Sequence, residues 1–335
     1  MLLLCAAAGC TQTDRLSPRF KTGQKFSRKI TLVCDMRMMF PGADHQENEI
    51  ILNYQVRDVK NGVATVDVKI DSIKASMRSL SVRASFDSEN LRGDSDKSAP
   101  ASSKTSPARF QKTKSTPSNQ ERFLKNFAGL KGSGYSARVD RGGKVLELVD
   151  LDERIKRAAT GGIIDGSWGG YQVALLLSPN NLRDYVSPAC IQVLADVDTE
   201  TDIGKSWIST EVAETPRANP VMIRKKITLK ELTTKDHEKL AVLPLEIYPV
   251  VDEPLPEYAR EPGEKRKPEM IIKRVDKGTM GELVVSLSDG QLVSLNEKYF
   301  AEITLVGMEK LINSSSSDKK TKKTYYVVEK SIERL

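Results

Sequence analysis

Two histidines, four cysteines and 45 carboxylates are what this chain of 335 residues offers for chemistry. Asp196, Asp198, Glu200 and Asp202 alternate, and their hard oxygens suit a calcium ion. The EF-hand pattern fails, because Thr201 stands at the glycine position and Trp207 where a bidentate glutamate belongs. Alternating acids are also the ordinary solvated face of a strand or loop, so this is a weak metal candidate. His45 and His237 sit in polar segments that read as exposed turns, and the chain holds no Gly-x-Ser-x-Gly nucleophile elbow. Asp150 and Asp152 have the chemistry for glycoside hydrolysis, yet pairs like this arise by chance among 45 acids. Residues 161–170 hold five glycines without the Gly-Lys-Ser/Thr ending of a phosphate loop. Gly204-Lys205-Ser206 has that tripeptide, but Thr199 stands five residues before Gly204 and strand-like sequence follows. The glycine stretch is therefore expected as a flexible surface loop, with a mobile lid as the sharper alternative. No catalytic residue, cofactor or metal is expected.

The first ten residues carry more information. A short apolar run ends in Ala7-Ala8-Gly9-Cys10, and small residues before a cleavage point are what a signal peptidase accommodates. The run resembles the bacterial lipobox, with Ala7 where that motif usually has leucine. The resemblance implies cleavage between Gly9 and Cys10 and a lipid on the Cys10 thiol. No Lys or Arg precedes the apolar run, as expected if translation starts several residues upstream. Residues 1–9 are then a signal peptide and 10–19 a polar tether. Removing residues 1–9 takes Cys5 away and leaves Cys34 and Cys190 as thiols. An export compartment permits a disulfide between them. Cys34 also alternates with Ile30, Leu32, Met36 and Met38 on an apolar face, which equally fits two separate buried thiols.

The elements that would position any site are mainly strands. Ile30 to Phe40, Ile50 to Val56 and Ala64 to Ile70 alternate apolar and polar, and Asn61-Gly62 is a strong hairpin signal. Residues 88–118 are too poor in aliphatic side chains to order themselves and are expected as a disordered insert. Ser118-x-x-Glu121 reads as a capping box ahead of Phe123, Leu124 and Phe127. A hairpin follows around Arg141-Gly142-Gly143. Ser178-Pro179 and Ser187-Pro188 each place a capping hydroxyl before a proline suited to a first helical position. The second half returns to strands at 207, 221–229, 243–247 and 283–287, turns at Asp289-Gly290 into 292–295, and continues at 303–305 and 325–328. Gly23-x-x-Phe26 and Gly204-x-x-Trp207 open the two halves alike, so an internal duplication is one reading. The expected fold is mainly β (α+β): two antiparallel β meanders with a few short helices between them. Residues 20–150 form the first β-rich half, 151–200 a helical connection, and 201–335 the second half.

This arrangement resembles an uncharacterised family of secreted and lipid-anchored bacterial proteins known only as a domain of unknown function. The resemblance rests on Gly23-x-x-Phe26, the Asn61-Gly62 hairpin, Asp140-x-Gly-Gly-Lys-Val145-Leu and Gly204-x-x-Trp207. It implies a location outside the cytoplasmic membrane and no activity. The net charge of +7 comes mainly from lysine-rich loops at 97–114, 265–267 and 319–323. These lack the interleaved aromatics that stack nucleic-acid bases, so no nucleic-acid partner is expected. The expected partners are a membrane, through the lipid anchor, and an envelope protein or polymer. The expected role is non-enzymatic binding or support in the cell envelope. Two alternatives stand beside it: an envelope hydrolase using carboxylates, and a lipid or lipoprotein carrier with an apolar cleft around Met36, Met38 and Phe40.

Overall fold

The computed structural model describes residues 16–37, 43–78, 83–90, 124–125, 127–165, 168–199, 201–213, 221–250, 270–275, 279–305 and 324–335. The first half contributes β1 (Lys25–Arg37), β2 (Ala43–Lys60), β3 (Val63–Arg78), β4 (Arg83–Asp87), β5 (Gly134–Val139) and β6 (Val145–Val149). Helices α1 (Glu153–Asp165), α2 (Trp168–Leu176), α3 (Pro179–Val186) and α4 (Ala189–Gln192) follow. The second half contributes β7 (Ser206–Ala213), β8 (Val221–Thr228), β9 (Glu231–Lys235), β10 (Glu238–Val250) and β11 (Met270–Val275). It ends in β12 (Thr279–Ser286), β13 (Leu292–Leu305) and β14 (Thr324–Arg334).

Alternation turns directly into structure. Along β3, Ala64, Val66, Val68 and Ile70 are buried while the residues between them are partly or fully exposed. The period slips once: Ile51 pairs Ser72 but Leu52 pairs Ile70, so Asp71 is an extra residue in a bulge. Asn61 and Gly62 take left-handed φ values of 51° and 76°, the twist a two-residue hairpin needs.

The two meanders are one sheet. Its order is β6-β5-β3-β2-β1-β14-β13-β12-β10-β8-β7, with β4, β9 and β11 added at the sides. All pairs are antiparallel, and β1 joins β14 over ten residue pairs, from Arg28–Arg334 to Arg37–Tyr325. The last strand, expected over 325–328, thus runs over 324–334 and sits at the centre. The chain works outward from β1 to the edge at β6. The helices then carry it to the opposite edge at β7, from which it returns to the centre.

The helices lie against one face of the sheet. Leu182, Tyr185 and Val186 of α3 share one core with Ile50, Leu52 and Val68 of the first half, and with Leu243, Leu283 and Leu295 of the second. The sheet must curl around them, as two turns show. A Cβ on Gly143, in the β5–β6 turn, would lie 3.0 Å from Pro18. One on Gly290, in the β12–β13 turn, would overlap the Ser17 carbonyl. Strands β5 and β13 are five steps apart in the sheet order, about 24 Å on a flat sheet, yet two consecutive residues touch both turns.

Several expectations change. Residues 16–19, assigned to the tether, belong to the folded body: Leu16 is fully buried, and the Arg19 N–H donates to the Asp289 carbonyl at 2.7 Å. The glycine stretch 161–170, expected as a loop, is largely helical, with Gly161 and Gly162 in α1 and Gly169 and Gly170 in α2. Ser178 caps α3 as expected, accepting from the Asn181 N–H at 3.2 Å with Pro179 at the first turn. Ser187 instead ends α3, its N–H donating to the Arg183 carbonyl. Gly23 and Gly204 do behave alike. The N–H of Gly23 donates to Val56 and that of Gly204 to Leu229, while Val56 and Leu229 donate back to Gln24 and Lys205. The capping box at 118–121, most of the 88–118 insert, and the linkers at 252–268 and 313–323 lie outside the described residues.

Candidate functional site

The inner face of the sheet, which bears on the helices, carries a band of charge. On β8 the inward positions read Ile223, Lys225, Ile227, which places an ammonium between two isoleucines at 1% side-chain exposure. Lys225 pairs with Glu211 from β7 and with Glu297 from β13. Glu297 stands directly across from Lys330 of β14, and Lys330 pairs with Asp184 of α3. Five charged groups thus run across the sheet and tie α3 to it. Burial works against the Lys225 charge, but Glu211 and Glu297 more than offset it and hold its pKa above the ordinary lysine range. Burial pushes Glu211 up to about 7, with Lys225 only partly reversing the shift. Burial also opposes ionisation of Asp184, and Lys330 and Lys225 together hold it below the usual carboxylate range.

A second cluster surrounds Arg28 of β1, which is 2% exposed. Its guanidinium donates to the carbonyls of Tyr185 and Val186, at 2.8 Å each, and to Gln291 Oε1 at 3.2 Å. It lies 5.0 Å from the Phe26 ring and 5.2 Å from the Tyr54 ring, which stack at 4.6 Å. The acceptors are the last carbonyls of α3, where the helix dipole favours a cation. Tyr54 Oη donates to the Tyr185 carbonyl at 2.8 Å, and Tyr135 Oη to that of Leu182 at 2.8 Å. Three strands therefore cap the C-terminus of one helix. Burial lowers the Arg28 pKa from its usual value.

Beside these clusters, Gln46 and Asn48 occupy successive inward positions of β2 at 1% exposure each. Among the described residues, neither amide has a hydrogen-bond partner for its oxygen or its nitrogen. Gln172 of α2 donates to the Ser76 carbonyl of β3 at 3.4 Å, and its own oxygen has no partner among the described residues. These amides are donors and acceptors of a neutral polar group, a water molecule included. In the ionic band Glu211 Oε2 is likewise without a hydrogen-bond partner among the described residues, while the remaining groups pair with one another.

The residues singled out by sequence are mostly elsewhere. Gly9, Cys10, Met38, Phe40 and Glu200 lie outside the described residues, as does the Met36 side chain. Cys34 and Cys190 are separate buried thiols with no disulfide between them. Burial pushes the Cys34 thiol up to about 12 and raises Cys190 as well. Asp202 closes a turn by accepting from the Asp198 N–H at 3.0 Å and pairing with Lys205, while Asp196 is exposed. No metal-binding cluster occurs among the described residues. His45 lies on β2 rather than in a turn, 2.6 Å from Asp35, while His237 does occupy a turn at φ 68°. Asp152 receives the Arg154 N–H at 2.8 Å, and Asp150 stands 3.7 Å from Arg57, so the pair serves local structure. Gly204-Lys205-Ser206 opens β7, as its strand-like context indicated. The three lysine-rich loops lie outside the described residues.

Sequence reasoning missed Arg28, Lys225, Glu297 and Lys330. The available signal was a charge at an inward position of an otherwise apolar alternation, as in Val328-Lys330-Ile332.

No family model and no curated protein sequence matches the chain. A solved structure described as lipid–protein interactions in lipovitellin is similar at a TM-score of 0.42 and 8% identity, covering 94% of this chain. The chain spans only 25% of that lipovitellin chain.

Proposed function

We propose that this protein is a lipid-anchored component of a bacterial cell envelope, attached through Cys10, with a folded part that binds or supports without catalysis. Its location rests on the Ala7-Ala8-Gly9-Cys10 run. The non-catalytic reading rests on how the interior uses its charges. Lys225, Glu211, Glu297, Lys330 and Asp184 form cross-links between strands and, through Lys330–Asp184, between the sheet and α3, with no side chain among them more than 19% exposed. Catalytic carboxylates must reach substrate and water, and each of these is paired with a lysine instead.

A palmitate analogue fed to cells making the protein is expected to label the parent and not Cys10→Ala. An unlabelled parent, or a labelled variant, overturns the anchor. For the hydrolase alternative, Glu211 with its pKa near 7 is the one acid-base candidate of the band. A Glu211→Gln protein losing hydrolysis of envelope polymers would revive that reading. Within the non-catalytic reading, Gln46, Asn48 and Gln172 favour a ligand with a neutral polar group. Native mass spectrometry of the gently purified chain is expected to show that mass. A bare chain mass would leave the structural role.

A further inference from the structure

The strand ends sort into two groups. At one end are the tight turns: Gly23, Asn61-Gly62, Asp140 to Gly143, Gly204, Asp236-His237 and Asp289-Gly290. The segment 16–19 and the last residue, whose N–H donates to the Ser27 carbonyl, lie at this end too. Leu16, fully buried there, is six residues after Cys10. A chain reaches at most about 3.5 Å per residue, so an acylated Cys10 holds this end within about 20 Å of the lipid surface.

We propose that this turn end lies against the membrane and binds anionic lipid headgroups, an inference that rests on the anchor reading above. Charge supports it. The segments 19–25, 58–62 and 140–144, around the point where residues 16–19 emerge, carry six Lys or Arg against two acids. Both acids are already engaged: Asp58 by Lys60 at 2.8 Å, Asp140 by the N–H groups of Gly142 and Lys144. Lys21, Lys25, Arg141 and Lys144 are exposed. The Arg141 side chain lies across Gly62, where a Cβ would strike it. The second-half turns 202–205, 230–239 and 289 carry four lysines against five acids, and the basic rim is therefore one-sided, on the side of the anchor.

An independent observation points to the same end. Seven large apolar side chains are exposed among the described residues: Phe300, together with Val59, Leu146, Ile203, Ile208, Leu232 and Leu335. The last six lie in or within three residues of the turn-end termini of their strands, or at the chain end beside Ser27. Of these, Val59 and Leu146 lie in or beside the basic segments 58–62 and 140–144, and apolar tips beside cations are the composition of an interfacial membrane surface.

The test uses the full chain with Cys10→Ala, so that no acyl chain contributes. Vesicles of phosphatidylcholine alone and of phosphatidylcholine with phosphatidylglycerol are the probes. Binding is expected on the anionic vesicles only, weakening with added salt. A cation near an anionic surface contributes about fivefold, so Lys21→Gln/Arg141→Gln/Lys144→Gln should weaken binding about a hundredfold. Val59→Ser/Leu146→Ser should reduce the part of the binding that survives high salt. Unchanged thermal melting of each variant shows that it folds, and Lys74→Gln, on the outer face of β3, is the control expected to bind like the parent. Equal binding to both vesicle types, or a triple variant that binds like the parent, overturns the proposal. Its failure leaves the palmitate result untouched, and a failed labelling leaves the vesicle result standing.

Discussion

At the scale of single residues, the interior is organised by charges that cap and cross-link. Arg28 serves two carbonyls at the end of α3 and one amide oxygen while lying against two aromatic rings. Hydrogen bonds from a charged group contribute about 1.5–3 kcal/mol each, so Arg28→Ala should cost about 3 kcal/mol or more in urea unfolding. Arg28→Lys should recover only part of this, because Nη1 serves both carbonyls but the bond to Gln291 needs the second guanidinium nitrogen. Tyr54→Phe should cost only about 1 kcal/mol, because Arg28 still serves the Tyr185 carbonyl. Glu211 adds a pH dependence of known sign. Its folded pKa is raised to about 7 from an ordinary 4.5, so the folded protein holds a proton that the unfolded chain releases. Stability should therefore fall as pH rises from about 4.5 to 7, by about 3 kcal/mol at most. Glu211→Gln should flatten that window and unfold later than the parent at pH 8, measured by denaturant titration at each pH. None of these roles was legible beforehand. The alternation reads through Ile223 and Ile227 without needing Lys225, because burial of a charge depends on partners from β7 and β13 that no local pattern shows.

At the scale of elements, turns and caps were the legible part. Asn61-Gly62, Asp289-Gly290 and Ser178-Pro179 do what their residue types indicate, since left-handed φ and side-chain capping are local properties. Their consequences are not always local. Gly204 and Gly290 have φ values of 86° and 67°, but a Cβ on Gly204 meets nothing within 4 Å. Gly204→Ala should therefore cost only the backbone term, about 1–2 kcal/mol. Gly290→Ala pays that term and also collides with the Ser17 carbonyl. It should cost clearly more in denaturant unfolding and speed tryptic cleavage after Arg19, which the parent ties to Leu287 and Asp289. Equal effects of the two substitutions would mean that the 16–19 segment is not held against this turn. The glycine stretch 161–170 went the other way: its composition indicates a loop, yet α1 and α2 form there, each with a buried face that includes Ile155 and Val173.

At the scale of the whole molecule, the first and last strands meet at the centre and the helices join the two edges. Residues 20–150 and 201–335 are consequently two parts of one sheet. The β1–β14 ladder and the common core beneath α3 should make unfolding a single transition, followed by circular dichroism and by modification of Cys34 and Cys190. Both thiols are buried with raised pKa values, so they should resist alkylation until the chain unfolds. Either half made alone should fail to fold, since it leaves β1 or β14 unpaired and half the core open. A half that showed dispersed amide resonances would contradict this.

Sequence alone determined the mainly β character, the positions of the main hairpins and the helical segment between the halves. All of these follow from residue types and their period along the chain. Only the tertiary structure decided that the two meanders form one curved sheet, that residues 16–19 are folded, and that the inward charges pin α3. Each of those depends on pairing between residues far apart in sequence, such as Arg28 with Val186 or Lys225 with Glu297. Long-range partners leave no trace in local periodicity, because alternation specifies which face a side chain takes and not what it will meet there.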